Sequence, residues 1–156
     1  MPEGVARLTA AQIARLASAH PLLPAIDAVG REAMGHGLCT AMRFEAATMR
    51  VRRLYTSDAE AYPLAGWKAK RDTAWGRQVL LEGQVFIGEG EAAIAAHFDD
   101  HALIARLGFQ AIVNVPVRLG GACVGTLNLL WRTASVSPDQ IATARLLGLL
   151  AAPDWA

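Results

Sequence analysis

The chain has 156 residues, the size of one domain, and a chain of this length buries roughly two thirds of its surface on folding. Its hydrophobic content of 53% and its charged content of 19% exclude disorder as a description of the whole chain. Fifteen basic residues balance 14 acidic residues, and this balance gives no overall electrostatic signature of nucleic-acid binding. The densest basic patch, at 50–53 and 68–71, is either a solvated face or a phosphate or nucleic-acid contact.

The first part of the chain is predicted to form two helices. Residues 1–20 have a helical pattern with Thr9 as the N-cap, and a second helix is predicted at 22–34. Gly35 and Gly37 follow the second helix and are expected to end it, because glycine is common just after helix C-termini.

The hydrophobic period then changes, and two predicted strands at 38–46 and 49–56 with a tight connection indicate a hairpin. Residues 57–72 contain Pro63 and Gly66 and have little periodicity, so we expect a long loop there. Strand alternation predicts that four side chains of the second strand share one face: Met49, Val51, Arg53 and Tyr55.

The remaining elements alternate short helices with strands. The last helix begins with a capping-box pattern of Ser137 and Gln140, with Pro138 at its first position. Because hairpins dominate, we expect an α+β domain in which helices pack against the faces of an antiparallel sheet. In chain order, the pattern predicts a helix at 73–82, a strand at 84–87, helices at 91–98 and 100–107, strands at 109–118 and 122–131, and a helix from 137 to about 150.

Several segments, in this order along the chain, resemble the pattern of GAF domains, and in particular of small single-domain bacterial GAF proteins. They are TAWGR at 73–77, GQVFIG at 83–88, FDDHALI at 98–104, NVPV at 114–117, GG at 120–121 and GTLNLL at 125–130. The resemblance extends over residues 22–150 and is strongest in the C-terminal hairpin, residues 114–130.

This resemblance implies a GAF-like six-stranded antiparallel sheet with the terminal helices on one face. It also implies that loops and helices between the second and fourth strands cover the other face and enclose a small-molecule pocket; here these are residues 57–108, called the cover below. The length of the cover supports this expectation independently of the resemblance, because long connections often form the walls of binding sites. We accordingly expect an N-terminal helix at 1–20, a GAF domain at 21–152 and a tail at 153–156.

Residue types argue against several activities that the resemblance would otherwise suggest. The Asn-Lys pair of cyclic-nucleotide-binding GAF domains is missing, because Asn114 and Asn128 precede Val115 and Leu129. The cover contains no cysteine, which argues against covalent bilin attachment and against the cysteine chemistry of free methionine-R-sulfoxide reductases.

The two cysteines, Cys39 and Cys123, can build neither a disulfide framework nor a cysteine-based zinc site. Both are on predicted strands, where they are either two small buried core residues or, on neighbouring strands, a redox-sensitive pair. No apolar stretch approaches the roughly 20 residues that span a bilayer, and no charged leader opens the chain. We therefore expect a cytoplasmic protein that binds neither membranes nor nucleic acid.

The candidate site residues come from the cover and from the strands beneath it. His97 and His101 either share a helix face as metal ligands, or Asp100 caps a new helix and His101 points into the cavity or bonds the loop. Asn114 and Asn128 lie in apolar strands and must hydrogen-bond either a ligand or neighbouring backbone. We expect no catalytic residue, no metal ion and no cofactor. The candidate ligand-binding residues are Arg43, Tyr55, Trp67, Phe86, Phe98, His101, Asn114 and Asn128.

The function predicted first is a non-catalytic sensor or regulatory module that binds an unidentified small organic ligand and signals through its terminal helices. The alternatives are an enzyme on the GAF scaffold, using His101, Asp100 and Arg43, and a ligand-free dimeric interaction protein. The first and last helices carry more apolar residues than one sheet face needs, and Trp155 adds an aromatic at an end that would otherwise be exposed. This surplus predicts a homodimer that pairs through the N- and C-terminal helices.

Overall fold

The computed structural model describes residues 3–70 and 72–156. The order of its elements matches the predicted order, with two additions: strand β3 lies inside the segment that was expected to be a loop, and a C-terminal 3-10 turn at Ala152–Trp155 follows the last helix. Helices α1 to α6 comprise Ala10–Ser18, Leu22–Met34, Ala74–Gly76, Glu91–His97, His101–Arg106 and Pro138–Ala151. Strands β1 to β6 comprise Leu38–Glu45, Arg50–Thr56, Lys68–Ala69, Phe86–Glu89, Ala111–Leu119 and Ala122–Trp131.

The six strands form one sheet in the order β3-β2-β1-β6-β5-β4, and all five pairings are antiparallel. The predicted α+β architecture is therefore confirmed. The β5–β6 hairpin turns at Gly120 and Gly121, whose φ angles of 59° and 81° lie in the left-handed region that two-residue hairpin turns favour and that glycine adopts without strain. Strand β1 pairs with β2 on one side and with β6 on the other. This joins the two hairpins into one sheet.

A β-bulge in β2 corrects the predicted distribution of its side chains. Tyr55 pairs with Ala41, but Arg53 pairs with Met42, so that Leu54 is the extra residue in the ladder. Because side chains alternate between faces, one extra residue reverses their direction beyond it. Arg53 therefore points toward the cover and Tyr55 toward the helices, and the expectation that both share a face is wrong.

The terminal helices pack on one face of the sheet. Thr9 and Ser137 each form the capping box with the glutamine three residues on, and each hydroxyl accepts a hydrogen bond from the amide of that glutamine. A continuous core joins these helices to the strands; its members include Leu16, Ile26, Val29, Val113, Leu127, Leu129 and Leu147. Within the described part of the chain, no helix has the length and apolar character needed to cross a bilayer.

Trp155 is part of this core, so the expectation that it occupies an exposed end is wrong. Its side chain is only 2% exposed, and its indole Nε1 donates to the Met42 carbonyl at 3.0 Å. Its own carbonyl accepts a hydrogen bond from Arg43 Nη1 at 3.0 Å. Gly125 makes this packing possible, because a Cβ at that position would clash with the Met42 carbonyl and the Trp155 indole.

The cover packs on the opposite face and builds a second apolar cluster with it. Helix α3 continues into a π-helical turn at Arg77–Leu81, where one helix at 73–82 was predicted. Thr73 caps the start of α3 by accepting from the Gly76 amide, as expected. The buried members of this second cluster include Trp75, Val79, Leu80, Phe86, Ile94, Ile104, Phe109 and Ile112.

Candidate functional site

A cavity of about 120 Å³ lies between the sheet and the cover. Strands β1, β5 and β6 form its floor, since register places Ile112 opposite Leu130 and Asn114 opposite Asn128. The cover supplies the walls from the loop after β2, from α3 and from the segment that joins α4 to α5. The lining residues are Leu38, Thr40, Met42, Arg53, Tyr62, Lys70, Trp75, Phe98, Asp100, Ile104, Ile112, Asn114, Asn128 and Leu130.

A chain of side-chain hydrogen bonds crosses the floor of the cavity. Trp75 Nε1 donates to Asn114 Oδ1 at 3.0 Å, and Asn114 Nδ2 donates to Asn128 Oδ1 at 2.7 Å. Asn128 Nδ2 in turn donates to Thr40 Oγ1 at 3.1 Å. The two buried amides thus bond to each other and to side chains rather than to neighbouring backbone. The chain ties α3 of the cover to strands β5, β6 and β1 and leaves polar edges on an otherwise apolar floor.

Four ionisable side chains line the same cavity: Arg53, Tyr62, Lys70 and Asp100. The Tyr62 hydroxyl donates to Asp100 Oδ2 at 2.6 Å, and the Arg53 guanidinium lies 5.4 Å from the centre of the Tyr62 ring. Arg53 Nη1 donates to the Pro63 carbonyl at 2.7 Å. Lys70 Nζ lies 5.0 Å from the centre of the Trp75 ring. Within residues 3–70 and 72–156, neither cation forms an ion pair with a carboxylate.

The electrostatics of these groups follow from their burial. Desolvation lowers the pKa of the Lys70 ammonium below its usual 10.5, and the positive charge of Lys68 lowers it further, which outweighs the opposing effect of Asp100 and Asp99. Desolvation and the hydrogen bond to Asp100 raise the pKa of the Tyr62 hydroxyl, which therefore stays protonated and remains a donor. The cavity consequently contains two cationic side chains and one carboxylate.

The structure brings three of the eight predicted site residues to the cavity: Phe98, Asn114 and Asn128. Three others lie elsewhere. Arg43 bonds the Trp155 carbonyl, and Tyr55 donates to Asp27 Oδ2 on the helix face. Trp67 stacks between two arginines of β2, with the guanidinium carbons of Arg50 and Arg52 at 4.8 and 5.1 Å from its ring centre.

The two remaining candidates, Phe86 and His101, lie near the cavity but do not line it. Phe86 packs edge-on against Phe98 and against His97, with ring centres 5.8 and 4.9 Å apart. His101 is exposed at the start of α5. Helix α4 ends at His97, so the two histidines do not share a helix face. Asp100 precedes α5 but makes no capping bond with its carboxylate, which bonds Tyr62 instead.

Comparison with solved structures identifies the architecture. The Nlh2 GAF domain of A. aeolicus, crystallised in an inactive state, matches with a TM-score of 0.68 at 14% identity over 92% of this chain and 90% of that chain. The GAF domain of a two-component sensor histidine kinase from Bacillus halodurans matches with a TM-score of 0.65 at 14% identity over 84% and 91%. The chain has the GAF fold.

The matching structures also include chromophore-binding domains of phytochromes. The chromophore-binding domain of Stigmatella aurantiaca phytochrome P1 has a TM-score of 0.65 and 17% identity, over 94% of this chain and 58% of that chain. No protein-family model and no curated protein matches the chain. The similarity therefore shows the fold, and the chemistry of the site must be argued from the residues of this chain.

Within the GAF fold of this chain, sequence reasoning missed the cationic side of the cavity. Arg53 was assigned to the correct strand but not to the site, and the bulge that separates it from Tyr55 gives no clear signal in sequence. Lys70 lies in a segment without periodicity, where no face can be assigned. Tyr62 and Asp100 are 38 residues apart, and only the folded cover joins them.

A second polar cluster lies on the helix face of the sheet and was also missed. The Asp27 carboxylate bonds His36 Nε2 at 2.7 Å, accepts from the Tyr55 hydroxyl at 2.6 Å, and pairs with Arg31 Nε at 3.2 Å. Cys39 lies within 4.8 Å of the Asp27 and His36 ligand atoms, and all three residues are buried. The sequence contained one signal of this cluster: a charged residue, Asp27, on the buried stripe of α2, with a histidine, His36, just after the helix.

Geometry explains this cluster as a hydrogen-bond network rather than as a metal site. The ligand atoms of one tetrahedral zinc ion, each about 2.0–2.3 Å from the metal, are separated by roughly 3.3 Å or more. Asp27 Oδ1 and His36 Nε2 are closer than that, at the distance of a hydrogen bond. Arg31 adds a positive charge beside the same carboxylate oxygen, which opposes a cation there. The network therefore fastens α2 to strand β2 through Tyr55.

The Asp27 network predicts a specific acid sensitivity. Burial raises the pKa of Asp27, but hydrogen bonds from His36 and Tyr55 and the charge of Arg31 outweigh it and hold the pKa below its usual 3.8. A lowered folded-state pKa stabilises the fold above the unfolded pKa, and this contribution is lost as the pH falls through the folded pKa. We expect Asp27→Asn to flatten the loss of unfolding free energy between about pH 6 and about pH 3.

Urea unfolding at a series of pH values measures this effect. Tyr55→Phe removes one of the bonds to the carboxylate and should give an acid dependence between those of the wild type and Asp27→Asn. The Asp58→Asn variant, which changes a loop carboxylate, is the control and should keep the wild-type dependence. If the unfolding free energy fell equally with pH in all four proteins, Asp27 would not be the group that causes the acid sensitivity.

The two cysteines are far apart, which excludes the redox-pair hypothesis for this fold. Cys39 pairs with Leu129 on β6, and Cys123 lies six residues from Leu129 along the same strand. At roughly 3.3 Å per residue, this separation is about 20 Å, whereas a disulfide requires Cα atoms within about 7 Å. Burial raises the pKa of both thiols and so disfavours the reactive thiolate.

Proposed function

We propose that this chain is a non-catalytic sensor or regulatory module that binds a small organic molecule in the cavity between sheet and cover. The observation that carries the proposal is the cavity itself, which combines apolar walls with a few placed polar groups. Small-molecule sites have this composition. The comparison proteins add support, because two-component sensor kinases and phytochromes place domains of this fold in sensory roles, one of them described as chromophore-binding.

The composition of the cavity supports binding rather than catalysis. Among the described lining residues there is no histidine, cysteine or serine, the side chains that most often act as nucleophiles or as general bases near neutral pH. The Asp100 carboxylate accepts a hydrogen bond from the Tyr62 hydroxyl, and the exposed His101 lies outside the cavity. The enzyme alternative based on Asp100, His101 and Arg43 therefore lacks a common reaction site. The free thiols of both cysteines fit a reducing compartment such as the cytoplasm.

Signal transfer requires a surface that responds to the cavity, and we propose that the terminal helices provide it as a homodimer. Ile13 on α1 is 46% exposed and Leu149 on α6 is 70% exposed, whereas Leu16 of α1 and Leu147 of α6 are buried in the core. Helix α2 packs against both of these helices. Apolar side chains that remain exposed on a helix layer favour its pairing with a second copy.

The homodimer predicts a change of mass on a single substitution. Light scattering coupled to size exclusion should give twice the mass of one chain for the wild type, and Leu149→Glu should give the monomer, because a buried charge at a symmetric interface is repeated in both copies. Leu64→Glu, at a loop position that is 61% exposed, is the control and should stay dimeric. A monomeric wild type at micromolar concentration would exclude this mode of signalling.

A cavity-filling pair of variants tests the binding function. Ile112 lines the cavity on β5, and Ile87 lies on the neighbouring strand β4, is 40% exposed and does not line it. A thermal-shift screen of metabolites should find compounds that stabilise the wild type and Ile87→Phe but not Ile112→Phe. Compounds that stabilise all three proteins equally bind elsewhere, and that result would contradict the proposed site. The melting temperatures without ligand show whether both variants fold.

A further inference from the structure

We propose that the ligand of this cavity is a small monocarboxylate of about six to eight non-hydrogen atoms, whose carboxylate binds Arg53 and Lys70. The inference rests on the proposed function and adds the chemical class of the ligand. It follows from the cationic groups, the charge balance and the size of the cavity.

Arg53 has an unused donor at the cavity. Its Nε is buried and has no hydrogen-bond partner within residues 3–70 and 72–156, although Nη1 is held by the Pro63 carbonyl. A buried N–H without a partner is costly, and the cost is relieved when a ligand oxygen accepts from it. The bond to Pro63 and the contact with the Tyr62 ring fix the guanidinium in place. Arginine is well suited to this purpose, because its planar fork matches the two oxygens of a carboxylate.

The charge balance of the cavity requires one negative charge from the ligand. Arg53 and Lys70 contribute two positive charges, and Asp100, which accepts from Tyr62, contributes one negative charge. A monocarboxylate brings the sum to zero, whereas a phosphate dianion exceeds it. The lowered pKa of Lys70 agrees with this view, because burial and the positive charge of Lys68 destabilise the ammonium more than Asp100 and Asp99 stabilise it.

The volume limits the rest of the ligand. An apolar protein cavity of about 150 Å³ accommodates benzene, so about 120 Å³ accommodates a molecule of roughly that size. Arg53 pairs with Met42 on β1, and the lining residues Leu38, Leu130 and Ile112, which lie side by side across β1, β6 and β5, form an apolar end four residues away along β1. A short branched or cyclic hydrocarbon group fits these walls. The polar edges of Asn114 and Asn128 lie on the floor between the two ends.

Three nearly isosteric probes test the assignment: isovalerate, isovaleramide and isoamylamine, which are anionic, neutral and cationic at neutral pH. Isothermal titration calorimetry should show that isovalerate binds at least about tenfold more tightly than the amide, and that the amine binds least. Arg53→Gln and Lys70→Met should each weaken isovalerate binding about tenfold and leave isovaleramide binding unchanged. The matched control is Arg52→Gln, at an exposed position outside the cavity lining, which should bind as the wild type does.

Equal affinities for the acid and the amide, preference for the amine, or equal effects of the test and control variants would each overturn the assignment. Absence of heat with all three probes would also overturn it. The proposed function is decided separately by the comparison of Ile112→Phe with Ile87→Phe, so the cavity can remain a binding site for a ligand of another class. If the loss of the bond to Pro63 lowers the melting temperature of Arg53→Gln, the effect of Lys70→Met on isovalerate binding decides the assignment.

Discussion

Replacing Trp155 by alanine is expected to lower the free energy of unfolding by about 3–5 kcal/mol, although the residue is next to last in the chain. The indole is 2% exposed and lies in the core under the terminal helices. Its removal leaves a large cavity beside Gly125 and deprives the Met42 carbonyl of its donor. A loss of this size is a large part of the total stability of a domain, which is about 5–15 kcal/mol.

Urea denaturation of Trp155→Ala and of the matched variant Trp67→Ala measures this effect. Trp67 is half-buried, lies outside both core clusters and stacks on Arg50 and Arg52, so its removal costs mainly these stacking contacts, about 1 kcal/mol. The Trp155 variant should therefore unfold at a much lower denaturant concentration. If both variants had the same stability, the C-terminal turn would not be part of the folded core.

Asn114→Leu is expected to lower the free energy of unfolding by about 2–4 kcal/mol, because it breaks the hydrogen-bond chain across the cavity floor at its centre. The indole Nε1 of Trp75 loses its acceptor, and Asn128 Oδ1 loses its donor. Both groups are buried, and an unsatisfied buried polar group carries its full desolvation cost. Leucine keeps the branched shape of asparagine but lacks its polar atoms, so the loss arises mainly from the missing bonds.

Thr126→Val on β6 is the control for the asparagine variant. The Thr126 hydroxyl is also buried, but it has no hydrogen-bond partner in the described part of the chain, so its removal should be neutral or stabilising. The double variant Asn114→Leu/Asn128→Leu should cost less than the sum of its two single variants, since each single variant already breaks the shared bond. An Asn114→Leu variant as stable as Thr126→Val would show that the chain of bonds is not important for stability.

The sequence was sufficient to predict most of the fold. The two capping boxes mark the starts of α1 and α6, the double glycine marks the β5–β6 turn, and both signals depend on nearby residues only. The strand periodicity and the resemblance of the C-terminal hairpin to GAF domains predicted an antiparallel sheet. Such local signals survive in a single sequence because they act over a few residues.

The parts that could not be predicted depend on contacts between distant residues. The bulge at Leu54 moves Tyr55 to the helix face, where it bonds Asp27, and leaves Arg53 toward the cover. Nothing in the alternation of β2 indicates the extra residue, so both side chains were expected together. The sequence indicated that Asn114 and Asn128 are buried amides. It did not indicate their hydrogen bond to each other, because that bond depends on the register of β5 against β6.

The indole signals of the four tryptophans test the central claim most directly, namely that this cavity is the binding site. Trp75 lines the cavity and bonds Asn114, whereas Trp131 and Trp155 donate to backbone carbonyls in the helix-face core and Trp67 lies on the surface. In ¹⁵N NMR titrations with the compounds that stabilise the wild type thermally, the Trp75 signal should shift in proportion to occupancy, and those of Trp131 and Trp155 should stay unchanged. A stabilising compound that shifts the other indoles and leaves Trp75 in place would contradict the account.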